Sequence, residues 1–187
     1  MAGALEIVDE YDVTTSTGTV ILGGGTSGSS GLNVSIDSTY DTYFVTGSGA
    51  VLSAGNQIYA RWVVGGSEDT TANTKQWSQR AKYSQTVNEY RFYTSNYTEI
   101  TLQNGVLAGE NSAFMLYLNC FPESSVGGMI TVFSAYDQYG SPVGTGNRVW
   151  TRLGGAGDMT KQASDGIKIF SNANFTAGTF RLFGFVK

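Results

Sequence analysis

The stretch Gly178-Thr-Phe-Arg-Leu-Phe-Gly-Phe-Val-Lys187 is rich in aromatic residues, alternates in side-chain character and reaches the last residue without a polar tail. Successive side chains of a β-strand point to opposite faces, so this period of two indicates a strand. Chain termini usually fray unless they are tied down. Strand chemistry that continues to the end therefore predicts that this segment is paired within a sheet, and it indicates an all-β fold.

The same alternation recurs along the chain, whereas the spacing of an amphipathic helix is almost absent. In the clearest interior strand, Gln57–Val64, the side chains of Ile58, Ala60, Trp62 and Val64 share the face predicted to be core. About eleven strands without intervening crossover helices predict an antiparallel β-sandwich of jelly-roll or Greek-key type, with little helix, as a single domain over 1–187. These strands come from twelve candidate segments: Leu5–Val8, Gly18–Leu22, Leu32–Ile36, Thr42–Thr46, Gln57–Val64, Glu89–Thr94, Tyr97–Gln103, Ser112–Phe121, Gly128–Tyr136, Arg148–Leu153, Gly166–Ser171 and Thr179–Val186.

Polar and glycine-rich stretches separate these strands. Glu68–Thr86 has Trp77 and Tyr83 as its large side chains and is predicted to form a long irregular connection, with a helical turn near Gln76–Lys82. Gly23–Gly31 is predicted to be a flexible loop, and it lacks the lysine and spacing of a phosphate-binding loop. The remaining predicted turns are Asn104-Gly105, Pro122–Gly127, Tyr139–Gly146 and Gly154–Gly157.

Composition narrows the class of partner. Charged residues make up 14% of the 187 residues, against about 25% in an average soluble domain. Such a surface is typical of extracellular binding modules and virion shells. The net charge of -4 and the scattered basic residues argue against a nucleic-acid ligand, and the sequence contains neither a secretory leader nor an apolar run that predicts membrane insertion. The single cysteine, Cys120, lies in an apolar alternating run and is predicted to be buried.

The sequence contains no histidine. This excludes a Ser-His-Asp triad and the ordinary zinc sites, so no catalytic residue, cofactor or metal ligand is predicted and the chain is expected not to be an enzyme. Two minor alternatives remain open at this level. Paired carboxylates of a glycosidase type would come from Glu6, Asp9, Glu10 and Asp12 or from Asp158 and Asp165, and calcium ligands would come from Asp37, Asp41 and Asp158.

Tyrosines are the remaining candidates for a binding surface. Exposed tyrosine offers a large apolar area with a polar tip, and so it stacks on sugar rings and anchors protein interfaces. For any one ring, filling a sandwich core is the simpler alternative, but the chain has 11 tyrosines and some must reach the surface. Polar neighbours or loop positions select Tyr59, Tyr93, Tyr97 and Tyr139 as candidate surface-binding residues.

Four segments of the chain carry a resemblance to a known family: Leu5–Ser16, Tyr40–Thr46, Gly55–Trp62 and Phe175–Phe185. They resemble a family of small virion structural proteins of tailed phages. Members of that family open with a short strand pair and show a Y-x-x-Y strand. They also have a GN-x-x-L-Y-x-R-F-like strand and close with G-T-[FI]-[KR]-L-Y-G. In this chain Phe183 replaces the usual tyrosine of the closing motif, and its core role is expected to be kept.

The resemblance implies a structural protein on the exterior of the virion, made in the host cytoplasm. Capsid decoration is the favoured role, because strand signals from Leu5 onward leave no room for a fibre shaft. The alternative is a tail-fibre or receptor-binding tip that adheres to host glycans. Expected partners are the major capsid protein or tail and fibre components, and a homo-oligomer, for instance a trimer, is expected. Neither nucleic acid nor membrane is an expected partner.

Overall fold

A computed structural model describes residues 4–24, 35–37, 39–40, 42–70, 74–82, 88–106, 108–119, 129–138, 147–157 and 164–185. Within these residues, twelve strands form one hydrogen-bonded network in which every strand pair is antiparallel. Their bounds are β1 Leu5–Asp12, β2 Thr17–Gly23, β3 Tyr43–Leu52, β4 Asn56–Val64, β5 Ser67–Glu68, β6 Thr74–Lys82, β7 Asn88–Tyr97, β8 Ile100–Val106, β9 Asn111–Asn119, β10 Met129–Gln138, β11 Asn147–Gly157 and β12 Gly166–Phe185.

The long strand β12 organises the fold. Its first part, Gly166–Phe170, pairs with β2 on one side and β4 on the other. Its second part, which ends at Phe185, pairs with β1 on one side and β3 on the other. The chain thus runs beside β12 twice, once as β1 followed by β2 and once as β3 followed by β4. Both flanking runs are antiparallel to β12.

Irregular pairing divides β12 into two parts. Its register against β3 shifts between Phe175 and Ala177 and again between Ala177 and Thr179. Gly178 has a φ of 137°, and a Cβ there would lie 3.0 Å from the Cα of Ala50. A residue with a side chain would be strained in this conformation, so glycine is required at this bend.

Each part of β12 carries its own set of strands. The large half consists of β1, the second part of β12, then β3, β9, β10, β11, β6 and β7 in that order. The small half consists of β2, the first part of β12, β4, β5 and β8. Strand β8 also contacts β10 and β11, with which it forms no ladder. The small half therefore meets the large half through packing as well as through β12.

One core cluster joins the buried faces of both halves. From the small half it contains Val20, Leu22, Ile58, Ala60, Trp62, Ile100, Leu102, Val106, Ile167 and Ile169. From the large half and the bend it contains Tyr43, Val45, Ala50, Leu52, Phe114, Leu116, Leu118, Phe175, Phe180 and Leu182. Near the bend, the ring of Phe175 meets that of Phe180 edge-on at 5.2 Å. The hydrophobic effect thus acts on the two halves together.

The all-β, antiparallel prediction is confirmed. The predicted strands Gly166–Ser171 and Thr179–Val186 are parts of one continuous strand, β12. The assignment to a jelly roll or Greek key stays a prediction, as does the single domain. Phe114, Leu116 and Leu118 are buried as the alternation around Cys120 predicted, while Cys120 itself and the predicted loop at 25–31 lie outside the described residues.

The predicted irregular connection Glu68–Thr86 is wrong. Within it lie the end of the short strand β5 and all of β6, Thr74–Lys82, where a helical turn was expected. Strand β6 pairs with β11 on one edge and β7 on the other. Because backbone hydrogen bonds on both edges hold the segment extended, its polar side chains do not decide its conformation.

Two turns that were predicted at glycine-containing stretches are also wrong, because both stretches lie within strands. Gly154–Gly157 lies inside β11, and Asn104-Gly105 lies inside β8. In β8 the register shifts so that Asn56 pairs with Val106 and Ile58 pairs with Gln103. The predicted turn is therefore a β-bulge within a strand, which glycine permits as readily as a turn.

Two smaller predictions are also corrected. Ile36 was expected at the end of a strand, but it lies outside any strand and is buried in the core, while 32–34 lie outside the described residues. In β4 the predicted core residue Val64 is half-buried, and Val63 is buried instead. A Cβ on Gly24 would lie 3.2 Å from Val63, so the backbone around Gly24 covers that side chain.

Candidate functional site: an outer apolar face

The last strand presents apolar side chains on both of its faces. Phe180 and Leu182 are buried, while Phe183 and Phe185 alternate with them on the opposite face. Apolar residues on the second face of an antiparallel sheet are unusual, because that face normally meets water and is polar. This second face is the first indication of a binding surface.

The strand register gathers further apolar residues around Phe183. Ile7 of β1 is paired with Phe183, which is paired with Phe44 of β3, and Phe44 is paired with Tyr117 of β9. Directly paired residues of antiparallel strands share a face, so these four side chains form a row across four strands. Leu5 is paired with Phe185 and lies beside this row.

Among the residues whose side chains the structure describes, the exposed large hydrophobic ones all lie on this face. They are Leu5, Ile7, Met115 and Phe185, which are 48%, 58%, 40% and 37% exposed. We call the whole surface the outer apolar face. It consists of Leu5, Ile7, Phe44, Met115, Tyr117, Phe183 and Phe185.

The aromatic rings of the outer apolar face contact one another. The ring of Phe44 lies 4.9 Å from that of Tyr117 with an interplanar angle of 56°, and 6.0 Å from that of Phe183 with an angle of 44°. Tilted ring pairs at these distances attract each other beyond their area of contact. The rings therefore form a fixed layer on the sheet, and the exposed aliphatic side chains border it.

The charged residues of β1 and β12 that border the face lie along one margin of it. Arg181 forms an ion pair with Glu10, to which it is also hydrogen bonded, and Asp12 accepts a hydrogen bond from the hydroxyl of Thr179 at 2.6 Å. Thr46 lies between Arg181 and Met115 in the register. A partner that covered the apolar residues would not have to desolvate an unpaired charge among them.

The register extends this row beyond the four strands. Tyr117 is paired with Thr131, Thr131 with Gly154, Gly154 with Trp77 and Trp77 with Phe92. The row thus crosses eight strands, which corresponds to about 34 Å at the usual strand spacing. Two aromatic residues occupy its far end.

A different surface covers the outer side of the small half. Tyr59 stacks on Phe170 at 5.3 Å, and the guanidinium of Arg61 and the Nζ of Lys168 lie 4.7 Å and 5.1 Å from the centre of the Phe170 ring. Glu68 Oε2 accepts hydrogen bonds from Arg61 Nη1 at 2.9 Å and from Lys168 Nζ at 2.7 Å. We call these five residues the charged aromatic cluster.

The ionisation of the cluster follows from its contacts. The hydrogen bond from Lys168 lowers the pKa of Glu68, although partial burial opposes the effect. Burial by itself lowers the pKa of Arg61, but hydrogen bonds to Glu99 and Glu68 outweigh it and raise that pKa. Both groups therefore stay charged over the physiological range. The two cations of the cluster are balanced by Glu68 together with Glu99, which lies outside the cluster and accepts a hydrogen bond from Arg61 Nη2 at 3.0 Å.

The structure does not gather the four candidate tyrosines into one site. Tyr59 is half-buried in the charged aromatic cluster, and its hydroxyl donates to Gln57 Oε1. Burial raises the pKa of this hydroxyl. Tyr93 and Tyr97 lie on β7, the last strand of the large half. Tyr139 lies outside the described residues. A binding role for these tyrosines stays a prediction.

The residues behind the phage-protein resemblance meet at one corner of the large half. Tyr43 is buried, and its hydroxyl donates to the carbonyl oxygen of Asp37 at 3.0 Å. The ring of Tyr40 covers Gly184, where a Cβ would lie 2.3 Å from the ring, so a larger residue would not fit there. The hydroxyl of Tyr40 donates to Glu6 Oε2 at 2.9 Å. These motif residues therefore have structural roles in holding β1, β3 and β12 together.

Phe183 departs from its expected place. The resemblance implied a core role, but Phe183 is half-buried on the outer apolar face and contacts Phe44. Sequence reasoning missed this face because it assigned the apolar residues of each strand to the core. Two features of the sequence could have indicated this face. Leu5 and Ile7 alternate with Glu6 in the first strand, and the last strand has apolar residues on both of its faces.

The carboxylates of β1 each have a partner within the chain. The buried Asp9 accepts hydrogen bonds from the backbone N of Glu10 at 2.8 Å and of Gly23 at 2.7 Å, while Glu6, Glu10 and Asp12 contact Tyr40, Arg181 and Thr179. Among the residues that the structure describes, no group of three or more His, Cys, Asp or Glu could hold a metal ion. In the same residues, no helix has the length and apolarity that a membrane crossing needs.

No protein-family model matches the sequence, and no curated protein matches it. Among solved structures, the chain is similar to the CBM2 module of the evolved Dit of Lactobacillus casei BL23 phage J-1. The TM-score is 0.31 and the identity 11%, over 100% of this chain and 99% of that one. It is also similar to the marine PL-14 alginate lyase of Aplysia kurodai, with a TM-score of 0.25 and 10% identity over 80% of this chain and 72% of that one. Neither likeness is close enough to carry an argument.

Proposed function

We propose that this chain is a non-enzymatic structural protein on the exterior of a tailed-phage particle, and that it decorates the capsid by docking its outer apolar face on another virion protein. The observation that carries the proposal is the gathering of Leu5, Ile7, Met115 and Phe185 on one face. A contiguous apolar surface of this kind marks an interaction site more often than a free monomer surface.

The side-chain types of this face favour a protein partner over a sugar. Its exposed members include the aliphatic Leu5 and Ile7 and the thioether Met115. These groups lack the ring faces and hydrogen-bonding tips with which proteins hold a pyranose. They suit the apolar core of a protein interface, in which charged residues are depleted and methionine is enriched.

Sedimentation with phage particles tests the docking. The purified chain is mixed with particles that lack it, and the bound fraction is measured for the wild type and for the Ile7→Ser, Met115→Ser double variant. Removal of two exposed apolar side chains from the centre of an interface is expected to weaken binding at least about tenfold. Asn172→Ser, at an exposed position of β12 after its first part, is the control and should bind as the wild type does.

Two results would oppose the proposal. One is a double variant that binds particles as well as the wild type, and the other is a wild type that does not sediment with particles at any accessible concentration. Added monosaccharides should leave binding unchanged, since all members of the face except Tyr117 have apolar side chains. Inhibition by a sugar would instead favour binding through the charged aromatic cluster.

The charged aromatic cluster supports adhesion to a host glycan as the second candidate function. Tyr59 and Phe170 stack beside Arg61 and Lys168, and this set combines ring surface with hydrogen-bonding groups. Under this alternative, Tyr59→Ala reduces phage adsorption to cells, whereas Ile7→Ser does not. If phage with the Tyr59→Ala variant adsorbs to cells as well as the wild type does, glycan adhesion through this cluster is ruled out.

A further inference from the structure

Strand β7 ends the large half and offers an edge for pairing. Within the described part of the chain it forms a ladder with β6 alone, and it is ten residues long, Asn88–Tyr97. An edge strand presents backbone N–H and C=O groups that can pair with a strand of another chain. Antiparallel addition at such an edge is an established mode of recognition between polypeptides.

The opposite edge of the large half is protected against such pairing. Strand β1 has a register shift between Ile7 and Asp9, and four of its eight residues are acidic. Bulges and like charges are the features with which proteins block edge-to-edge association. In contrast, β7 has one acidic and one basic residue, Glu89 and Arg91, on either side of Tyr90.

We propose that two copies of this chain pair antiparallel through β7 about a twofold axis at Tyr90, which sets Glu89 of each copy at the register position opposite Arg91 of the other. In a twofold antiparallel pair, the residue on the axis faces its own copy, and the residues just before and after it face each other. The sequence Glu89-Tyr90-Arg91 is therefore complementary to itself in this arrangement.

Other registers do not satisfy both charges. An axis at Glu89 or at Arg91 sets two like charges opposite each other, which destabilises a strand pair. With the axis at Phe92, Glu89 stands opposite Ser95, and Arg91 stands opposite Tyr93. Directly opposed unlike charges stabilise antiparallel pairs, so charge complementarity selects Tyr90.

This interface is separate from the outer apolar face. It uses the backbone edge of β7 and leaves Leu5, Ile7, Met115 and Phe185 free for the particle. The dimer would therefore present two copies of the docking face on one joined sheet, and a dimer held by two weak contacts dissociates from a particle more slowly than a monomer does. The inference stands or falls independently of the proposed function, since it is tested on the purified protein alone.

Sedimentation velocity of Arg91→Glu tests the register. The wild type is expected to show a monomer–dimer equilibrium. In Arg91→Glu both opposed pairs become Glu–Glu, so the dissociation constant should rise at least about tenfold. High salt should weaken the wild-type dimer and strengthen that of the variant, because it screens attraction in one and repulsion in the other.

Mixing two variants gives a sharper result. Glu89→Arg alone sets Arg opposite Arg and should also dissociate, but in an equal mixture with Arg91→Glu each interface pair is again Arg with Glu. The mixed dimer should therefore form with nearly the wild-type dissociation constant. Glu89 is paired with Arg80 within the chain, whereas Arg91 is paired with Ser78, so thermal unfolding of Glu89→Arg is measured alongside and Arg91→Glu is the primary variant.

Lys75→Glu is the matched control. It makes the same change of charge on β6, which is paired on both edges, so it should leave the dimer unchanged. A wild type that stays monomeric up to high concentration overturns the inference, as does a trimer. A dimer that tolerates Arg91→Glu without weakening also overturns it, because the charges would then not set the register.

Discussion

Gly47 is a position in the sheet where the close packing of a core ring leaves no room for a side chain. A Cβ at this position would lie 2.4 Å from the Cζ atom of Phe114, whose ring is buried in the core. Gly47→Ala should therefore lower the free energy of unfolding by about 1–3 kcal/mol, as overpacking of a core does. Urea denaturation measures the loss.

Gly55→Ala is the control for this prediction. A Cβ at Gly55 would meet the carbonyl oxygen of Val106 at 3.5 Å, which is an ordinary contact, so the change should stay within about 0.5 kcal/mol. Equal losses in the two variants would mean that the Phe114 ring does not confine Gly47.

Ionisation of the Tyr43 hydroxyl makes the free energy of unfolding depend on pH in the alkaline range. Burial raises its pKa to about 12, assisted by the nearby charge of Asp37, although the hydrogen bond to the Asp37 backbone opposes the shift. The unfolded chain has a tyrosine pKa of about 10. A folded pKa above the unfolded one gives stability that is complete below about pH 10 and is lost as the pH rises towards 12.

The stability difference between the wild type and Tyr43→Phe isolates this effect. As the pH rises through that window, the wild type should lose unfolding free energy relative to the variant, which has no phenol at position 43. Urea denaturation at a series of pH values measures the difference. A difference that stays constant from pH 9 to 12 would show that Tyr43 ionises alike in the folded and unfolded chains.

At the scale of elements, Asp9 joins the two strands that run beside β12. Its buried carboxylate accepts a hydrogen bond from the backbone N of Gly23, at the end of β2. Asp9→Ala would leave this buried donor without its acceptor and should cost about 1–3 kcal/mol of unfolding free energy. Thermal unfolding measures the change. Asp12→Ala removes an exposed carboxylate of the same strand and should cost less; the reverse order would contradict this role.

Elements could be predicted from sequence where burial sets the alternation. In β9 the buried Phe114, Leu116 and Leu118 alternate with other residues, and the predicted strand is close to the observed one. Strand β6 could not be predicted, because its extended form depends on ladders to β11 and β7 that local sequence does not encode. Two predicted strands proved to be one because bulges near Gly178 resemble a break in the pattern.

For the whole molecule, the two halves carry different outer surfaces, apolar on the large half and charged on the small one. Sequence reasoning missed the apolar surface, because an alternating apolar strand does not show whether its second face is also covered. Phe183 and Ile7 become neighbours only through strand pairing. The same holds for the charged aromatic cluster, in which Tyr59 was a candidate without its partner Phe170.

Removal of exposed apolar groups should separate binding from folding. Ile7 and Met115 are both exposed, so the Ile7→Ser, Met115→Ser double variant should keep its unfolding free energy within about 1 kcal/mol of the wild type. It should also bind less of a hydrophobic dye, because the outer apolar face is the surface that the dye would contact. A large loss of stability would instead assign these side chains to the core.

Cryo-electron microscopy of intact phage particles tests the docking of the outer apolar face most directly. The prediction is that density for this chain covers the capsid exterior in many equivalent copies, with β1, β12, β3 and β9 turned towards the underlying protein. Density at the tail tip with that face turned to solvent, or particles without the chain, would contradict it.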